Sequence, residues 1–229
     1  MNTKILFLLV GIGLAGCTKS TQPYSPPDTY IPYYVGDTRQ IIFAFDSSTV
    51  LERIVGTVDR SDGLEVFLTE RSYGTQPPET LYFALSNDYF VTTALDSSRH
   101  YPGNPFQEQR IAKAHPHDGD TWKQFVGTSD SLFFTAHHLD SVFTFAGTFM
   151  DAFAFTQTIT DNGMSHDEGT VIFARNIGFA GTNVANQPYV RVSYVRVLGV
   201  EYGARWPARN SPSRLTSIWN GNERQLTGR

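Results

Sequence analysis

The sequence predicts a single antiparallel β domain, built as a β-sandwich or a partly open β-barrel. Short apolar or alternating runs are separated by turn residues, and no segment after residue 17 has a sustained apolar period of 3.6 residues. Runs this close together favour antiparallel pairing, because parallel strands need long crossover connections. Aromatic residues make up 14% of the chain and charged residues 17%, a composition typical of a packed core.

The individual strands are predicted from these runs. They cover residues 41–45, 50–59, 64–70, 81–85, 89–95, 122–126, 131–138, 141–145, 149–159, 170–174, 189–200 and 215–219. Turns are predicted at 46–48, 61–63, 86–88 and 161–163, because Asn, Asp and Gly tolerate the backbone conformations of tight turns. Gly-Asp-Thr occurs at 36–38 and again at 119–121, and each copy is interpreted as a turn that leads into a strand.

The first seventeen residues have the pattern of a targeting segment. Lys4 supplies a positive charge, and 5–14 is an uncharged apolar stretch that is too short to span a bilayer. The segment Leu14-Ala15-Gly16-Cys17 resembles the lipobox of bacterial lipoproteins, and Cys17 is the only cysteine of the chain. The resemblance implies cleavage before Cys17 and a diacylglycerol on its thiol, often with an acyl chain on the new amine. Because two or more acyl chains anchor a protein stably, no transmembrane helix is expected.

Three regions follow from this interpretation. Residues 1–16 are the signal peptide, 17–32 are the lipidated cysteine and a proline-rich tether, and 33–229 are the β domain. The prolines of the tether exclude a helix and favour an extended chain. Tyr30 and the tyrosines that follow it indicate that the distal end of the tether packs on the domain. With Cys17 lipidated, no disulfide can form, so stability must come from a packed core.

The charge balance argues against one class of partner. The formal net charge is −4, which is not that of a nucleic-acid-binding protein. The expected partners are a membrane, through the lipid on Cys17, and a protein or apolar ligand that the sequence does not identify. No cofactor is expected. The expected location is the cell envelope, at the outer membrane, because Thr18 rather than Asp follows the cysteine.

Several short segments resemble a group of bacterial envelope lipoproteins whose biochemical role is unassigned. They are residues 30–38, 119–122, 146–149 and 173–179. Members of the group carry Trp where this chain has Arg39, and Gly where it has Asn176. The resemblance implies fold and location, and it transfers no catalytic residue.

His115, His117 and Asp120 are the candidates for a metal site. They lie in one short polar segment, and His and Asp are common ligands of zinc and other divalent metals. The alternative interpretation is a polar turn before the next strand. His137 and His138 are adjacent in a predicted strand, so their side chains point to opposite faces and do not serve one ion.

Phenylalanine is concentrated in the strands predicted between residues 133 and 173. These rings supply either an ordinary core or the lining of a cavity for an apolar ligand. The sequence contains neither a Gly-x-Ser-x-Gly nucleophile motif nor a phosphate-binding glycine loop. The arginines of 204–229 could contact anionic headgroups or a partner, or belong to a polar tail.

The predicted function is therefore that of a non-catalytic, membrane-anchored β module that binds a partner or ligand in the cell envelope. One alternative is a carrier that holds lipid or another apolar ligand in an open barrel. The second alternative is a metal-dependent hydrolase that uses His115 and His117. A filled core favours the module, and a Phe-lined cavity of roughly 300–1,000 Å³ favours the carrier. Three or more converging His or Asp side chains favour the hydrolase.

Overall fold

A computed structural model describes residues 28–98, 104–125, 131–161, 164–185 and 187–205 of the chain. They form thirteen β-strands in one antiparallel sheet, which confirms the predicted all-β class. The strands are β1 Thr38–Phe43, β2 Thr49–Asp59, β3 Glu65–Tyr73, β4 Glu79–Ser86, β5 Tyr89–Thr92, β6 Gln109–Lys113, β7 Thr121–Phe125, β8 Ser131–Thr144, β9 Gly147–Asp161, β10 Met164–Ala174, β11 Gly178–Val184, β12 Gln187–Val197 and β13 Val200–Gly203. Within the described ranges, no helix has the length and hydropathy needed to cross a membrane.

The sheet curls into a nearly closed barrel made of two consecutive halves. Strands β1 to β6 pair in chain order and form the first half, and β7 to β12 form the second. The halves join where β1 pairs with β12, with Thr38 opposite Arg196 and Phe43 opposite Val190. Strand β13 folds back on the end of β12. The domain is thus a partly open barrel, one of the two predicted architectures.

Side chains bridge the seam between β6 and β7, the two edge strands of the sheet. The side-chain amide of Gln124 accepts a hydrogen bond from the N–H of Arg110 at 2.7 Å and donates one to the carbonyl of Glu108 at 3.2 Å. Lys113 and Asp120 form an ion pair of 3.0 Å on the same seam. Because exposed strand edges tend to pair with other chains, these contacts protect the seam.

The first Gly-Asp-Thr segment forms the predicted turn before β1. Gly36 has a φ of 95°, a conformation that suits glycine. Its N–H donates to the carbonyl of Ile54 at 2.8 Å, and the N–H of Ile54 donates to the carbonyl of Asp37 at 3.0 Å. The carboxylate of Asp37 accepts from the N–H of Tyr34 at 3.2 Å. The strand then begins at Thr38.

The second Gly-Asp-Thr segment forms the same turn before β7. Gly119 has a φ of 82°. Its N–H donates to the carbonyl of Ala136 at 2.9 Å, and the N–H of Ala136 donates to the carbonyl of Asp120 at 2.8 Å. The carboxylate of Asp120 accepts from the N–H of His117 at 2.9 Å. Each half of the barrel therefore opens with the same hydrogen-bonded turn, as the sequence predicted.

The segment that precedes β1 contributes to the barrel core. The ring of Tyr33 lies 5.4, 5.7 and 4.9 Å from the rings of Phe67, Phe83 and Phe90. Residues 30–32 are also buried. The described chain thus packs on the barrel from residue 30 onward, because burying these apolar side chains is more favourable than leaving them in water. The signal peptide and the rest of the predicted tether lie outside the described residues.

Several strand predictions need correction, and one lies outside the described residues. Residues 131–138 and 141–145 belong to one strand, β8, because the long strand β9 pairs with it along almost its whole length. The predicted strand at 189–200 ends at Val197, since Leu198 and Gly199 both have positive φ and turn the chain into β13. Strands β6 and β11 were not predicted; they have few apolar residues or contain glycine. The predicted strand at 215–219 is not among the described residues.

One end of the barrel, here called the proximal end, holds the segment before β1. Because neighbouring strands alternate in direction, the same end holds the connections β2–β3, β4–β5, β6–β7, β8–β9, β10–β11 and β12–β13. Polar side chains from several of these connections meet there.

Candidate functional site

Three polar side chains meet around the carboxylate of Asp151 at the proximal end, and together with Asp151 they are here called the Asp151 cluster. The hydroxyl of Tyr30 donates to Oδ1 of Asp151 at 2.5 Å, and Nε2 of His138 lies 3.1 Å from the same oxygen. Nε of Arg175 lies 2.7 Å from Oδ2 as an ion pair, and Nη2 of Arg175 donates to the hydroxyl of Tyr30 at 3.0 Å. A phenol, an imidazole and a guanidinium thus surround one carboxylate.

Arg175 also connects the cluster to the first described residue. Its Nη1 lies 2.7 Å from Oδ1 of Asp28. The guanidinium stands 5.1 Å from the centroid of the Tyr30 ring, within range of a cation–π contact. Arg175 therefore holds residues 28–30 against the β10–β11 connection, although Tyr30 and Arg175 are 145 residues apart.

Unusual backbone conformations place these side chains. Asp151 has a φ of 60° inside β9, and Asn176 has a φ of 63° in the β10–β11 connection. Asp and Asn adopt this left-handed region more readily than other residues with a side chain. Backbone hydrogen bonds hold both residues. The backbone N–H of Arg175 donates to the carbonyl of Asp151 at 2.9 Å, and the backbone N–H of Asn176 donates to the carbonyl of Thr29 at 2.8 Å. Such conformations cost about 1–3 kcal/mol and persist where the surroundings enforce them.

The electrostatics of the cluster fix its ionisation. Burial favours the protonated form of Asp151, but hydrogen bonds from Tyr30 and His138 and the charge of Arg175 outweigh it and hold the pKa of Asp151 below its usual range. Burial and the bond to Asp151 raise the pKa of Tyr30. The bond to Tyr30 raises the pKa of Arg175. At neutral pH the cluster therefore holds a carboxylate, a neutral phenol and a guanidinium.

The cluster joins the N-terminal segment to the barrel, and the contacts of Arg175 with Asp28, Tyr30 and Asp151 are here called the clamp. Both oxygens of Asp151 are engaged by protein groups, and Arg175 contacts Asp28, Tyr30 and Asp151. An efficient general base has a pKa near the working pH, whereas Asp151 is held ionised well below it. What the arrangement does chemically is to bind the N-terminal segment to the barrel.

The predicted metal ligands do not converge. His115 lies 2.7 Å from Asp88 in the β4–β5 connection, whereas Nδ1 of His117 lies 3.7 Å from Asp120. The N–H of His117 and the ammonium of Lys113 hold the pKa of Asp120 below its usual range. Among the described residues, no group of three or more His, Cys, Asp or Glu side chains could hold a metal ion. The segment is a polar turn before β7, which was the alternative interpretation.

His138 lies in the Asp151 cluster rather than beside another histidine. Its ring stands 5.3 Å from the ring of Phe153, and its backbone N–H donates to the carboxylate of Asp118 at 2.8 Å. His138 therefore links β8 to Asp151 in β9 and to Asp118 in the β6–β7 connection.

A second polar cluster, here called the charge ladder, lies in the first half of the barrel. Arg39, Glu52, Arg71 and Glu79 are direct neighbours across β1, β2, β3 and β4. Nη2 and Nε of Arg71 donate to one oxygen of Glu52 at 2.6 and 2.9 Å, and Nε of Arg39 lies 3.7 Å from the other. Burial would lower the pKa of Arg71, but the charge of Glu52 raises it. Arg39, Glu52 and Arg71 are each only 5–6% exposed.

The interior near the charge ladder is closely packed. A depression lined by Tyr33, Asp37, Arg39, Glu52 and neighbouring residues has no room for a water molecule.

The phenylalanines separate into two groups. Phe155 and Phe173 are fully buried, and their rings pack 5.9 Å apart, so they belong to an ordinary core. Phe133, Phe143 and Phe145 are exposed at the surface. The strand rings that could have lined a ligand cavity are thus either packed against each other or outside the barrel.

Sequence reasoning assigned no site role to His138, Asp151 or Arg175, and it expected Tyr30 only to pack on the domain. The sequence did single out two of the segments involved, 30–38 and 173–179, through their resemblance to envelope lipoproteins, and the structure brings these two segments into contact. A Cβ added at Gly178 would lie 3.4 Å from Cδ of Pro32.

Cys17, the predicted lipidation site, lies outside the described residues. Of the arginines at 204–229, Arg205 is described, 4.7 Å from the Tyr194 ring centroid.

The fold and site define a single-domain β-barrel whose N-terminal segment is clamped to the proximal end. No protein-family profile matches the chain, and no curated protein matches it. Among solved structures, the chain is similar to an exported protein of Bacteroides fragilis with a YmcC-like fold. The two share 14% identity and a TM-score of 0.38, over 76% of this chain and 99% of that chain. A likeness of this size carries no argument about function.

Proposed function

We propose that the chain is a lipid-anchored protein of the cell envelope whose barrel is a non-catalytic binding or interaction domain. The observation that supports the proposal is the clamp at the proximal end. The clamp fixes Asp28 and Tyr30, only eleven and thirteen residues after Cys17, the predicted lipid site. Such a fixed point helps to keep the buried residues 30–33 in the core when the chain before them is held at a membrane.

The packing of the interior favours recognition through the outer surface over the carrier alternative. The Tyr33 ring contacts three phenylalanine rings inside the barrel, and Phe155 and Phe173 pack against each other. A bound acyl chain would have to displace these contacts. The outer surface, by contrast, carries exposed Phe and Met side chains.

The anchor is tested by metabolic labelling with an alkyne analogue of palmitate. Wild-type protein is expected to incorporate the label and to sediment with membranes. The Cys17→Ser variant, expressed at the same level, is expected to incorporate none. Equal labelling of the two proteins, or no labelling of either, contradicts the proposal.

Native mass spectrometry of the mature wild-type protein tests the second part of the proposal. The expected mass is that of the polypeptide and its covalent acyl chains. A further lipid-sized adduct that leaves on mild activation indicates a carrier instead. A metal-sized adduct that His117→Ala abolishes indicates the hydrolase.

A further inference from the structure

Large apolar side chains are exposed at the tip of the β8–β9 hairpin. Phe143 is 71% exposed, Met150 68% and Phe145 46%. Phe143 and Met150 share one face, because Phe143 pairs with Thr148 and Ser141 pairs with Met150. Single exposed apolar residues are normal, but a contiguous group marks an interaction surface.

The tip is held firmly against the rest of the barrel. The N–H of Ala146 donates to the carbonyl of Val192 in β12 at 3.1 Å, and the hydroxyl of Thr144 donates to the carbonyl of Gly147 at 3.0 Å. On the other face of the hairpin, the ring of Phe149 packs 5.7 Å from that of Tyr202. One face of the hairpin is thus fixed on the barrel, and the other presents its apolar side chains outward.

The tip lies beside the point where the chain from Cys17 reaches the barrel. Met150 directly precedes Asp151, and Arg175 joins Asp151 to Asp28 through ion pairs of 2.7 Å. The eleven residues from Cys17 to Asp28 can span at most about 40 Å. The predicted lipid is therefore tethered within about 40 Å of Asp28, which Arg175 joins to Asp151 beside the tip. At the same end, Val35, Leu198 and Val200 are 57%, 38% and 40% exposed.

The charges of the tip indicate what it contacts. Residues 139–150 contain no Lys or Arg and a single acidic residue, Asp140. Attraction to anionic headgroups depends on cations, so the tip is suited to the apolar boundary of a bilayer, where Phe and Met gain from burial. The anchor keeps the tip at high effective concentration near the bilayer, so a weak intrinsic affinity is sufficient.

We propose that the tip of the β8–β9 hairpin inserts Phe143, Phe145 and Met150 into the interfacial layer of the bilayer that anchors the chain. The inference rests on the proposed lipid anchor at Cys17. The acyl chains and the tip together form two attachments, which hold the proximal end on the membrane and direct the opposite end of the barrel away from it.

The test uses a spin label at position 143 of the mature, lipidated protein. Because a lipidated Cys17 has no free thiol, the variant Phe143→Cys can be labelled at that one position after reconstitution in vesicles of phosphatidylethanolamine and phosphatidylglycerol. The matched control is Phe133→Cys, which is 41% exposed near the other end of β8. Collision rates with oxygen and with a water-soluble nickel complex are measured by electron paramagnetic resonance, and circular dichroism confirms the fold of both variants.

The expected result is a ratio of oxygen to nickel collision several-fold higher at position 143 than at position 133. Equal ratios at the two positions overturn the inference while leaving the lipid anchor intact. Low collision rates with both reagents at position 143 show that a second copy of the chain covers the tip, which also overturns the inference. A maleimide-reactive thiol in the mature wild-type protein shows that the anchor itself is absent, and the inference then fails together with the proposed function.

Discussion

The two halves of the barrel begin with the same turn and diverge at the next residue. In the first half, Arg39 follows the turn and faces Glu52 across β1 and β2. In the second half, Trp122 follows the turn and faces Phe134 across β7 and β8. The rings of Trp122 and Phe134 stack with centroids 4.8 Å apart and planes 5° apart. The same place in the two halves thus holds a buried ion pair in one and an aromatic pair in the other.

This difference teaches that the turn and the core behind it are specified separately. The turn depends on a glycine with positive φ and an aspartate that accepts a backbone N–H, and both halves keep these. The next position accepts a cation or a ring, provided that its neighbour across the sheet is complementary. Buried ion pairs add little over a well-packed apolar pair, yet removing one partner is costly. At this position, the first half should therefore be far more sensitive to a single substitution than the second.

The largest effect is expected from Glu52→Ala. The substitution removes the carboxylate between two buried guanidinium groups, those of Arg39 and Arg71, and should lower the free energy of unfolding by about 3–5 kcal/mol. Urea denaturation followed by circular dichroism measures it. Glu65→Ala, on the exposed start of β3, is the matched control and should change stability by no more than about 0.5 kcal/mol. Similar losses for the two variants would show that the ladder has no special role.

A smaller loss of stability is expected when the contacts that hold the segment before each half of the barrel are removed. These contacts are the ion pair of Asp151 before the first half and that of Asp88 before the second. Asp151→Asn loses the ion pair to Arg175 and should cost about 1–2 kcal/mol, whereas Asp88→Asn, which loses the exposed contact to His115, should cost less than about 0.5 kcal/mol.

The contribution of Asp151 to the free energy of unfolding should also depend on pH. The folded pKa of Asp151 is lowered, so its stabilisation is complete above the ordinary value of 3.8 and is lost as the pH falls through the folded pKa. Wild-type protein should therefore lose stability below pH 3.8 more steeply than Asp151→Asn. Parallel stability profiles for the two proteins between neutral and acidic pH would argue against the clamp.

Trp122→Phe should cost only about 1 kcal/mol, a small value for a buried tryptophan. Its indole Nε1 is buried and has no hydrogen-bond partner among the described residues, so phenylalanine removes an unsatisfied donor while keeping most of the stack. The thermal midpoint should fall by a few degrees, equally at low and high salt. A loss as large as that of Glu52→Ala would mean that the halves do not differ in tolerance.

The smallest effect on stability is expected from the ionisation of the aspartates in the two turns, Asp37 and Asp120. Burial raises the pKa of Asp37, whereas the N–H of His117 and the charge of Lys113 lower that of Asp120. As the pH rises from 3.8 through the folded pKa of Asp37, its ionisation should weaken the fold. Asp120 acts in the opposite sense, because its stabilisation is lost as the pH falls below 3.8. Carboxyl-carbon NMR titration should give midpoints on opposite sides of 3.8, and midpoints on the same side would contradict the comparison.

Local features were predictable from the sequence, and long-range contacts were not. The turns at Gly36 and Gly119 and most strands follow from residue type and alternation, which act over a few positions. The Asp151 cluster could not be predicted, because it joins Tyr30 to a residue 121 positions away and depends on a positive φ at Asp151 inside a strand. The continuity of β8 through its polar middle was missed for a related reason, since β9 supports it through pairing that no local pattern encodes.

The pairing of β1 with β12 has a consequence for the order in which the chain can fold. The hydroxyl of Ser193 donates to the carbonyl of Gln40, 153 residues earlier in the chain. Each hairpin can form as soon as its two strands exist, but the barrel cannot close before nearly the whole domain is available. Because the entropy of closing so long a loop must be overcome first, folding should be slow, in the range of milliseconds to seconds typical of non-local β topologies. A nascent or partly threaded chain would therefore remain open along its first strand.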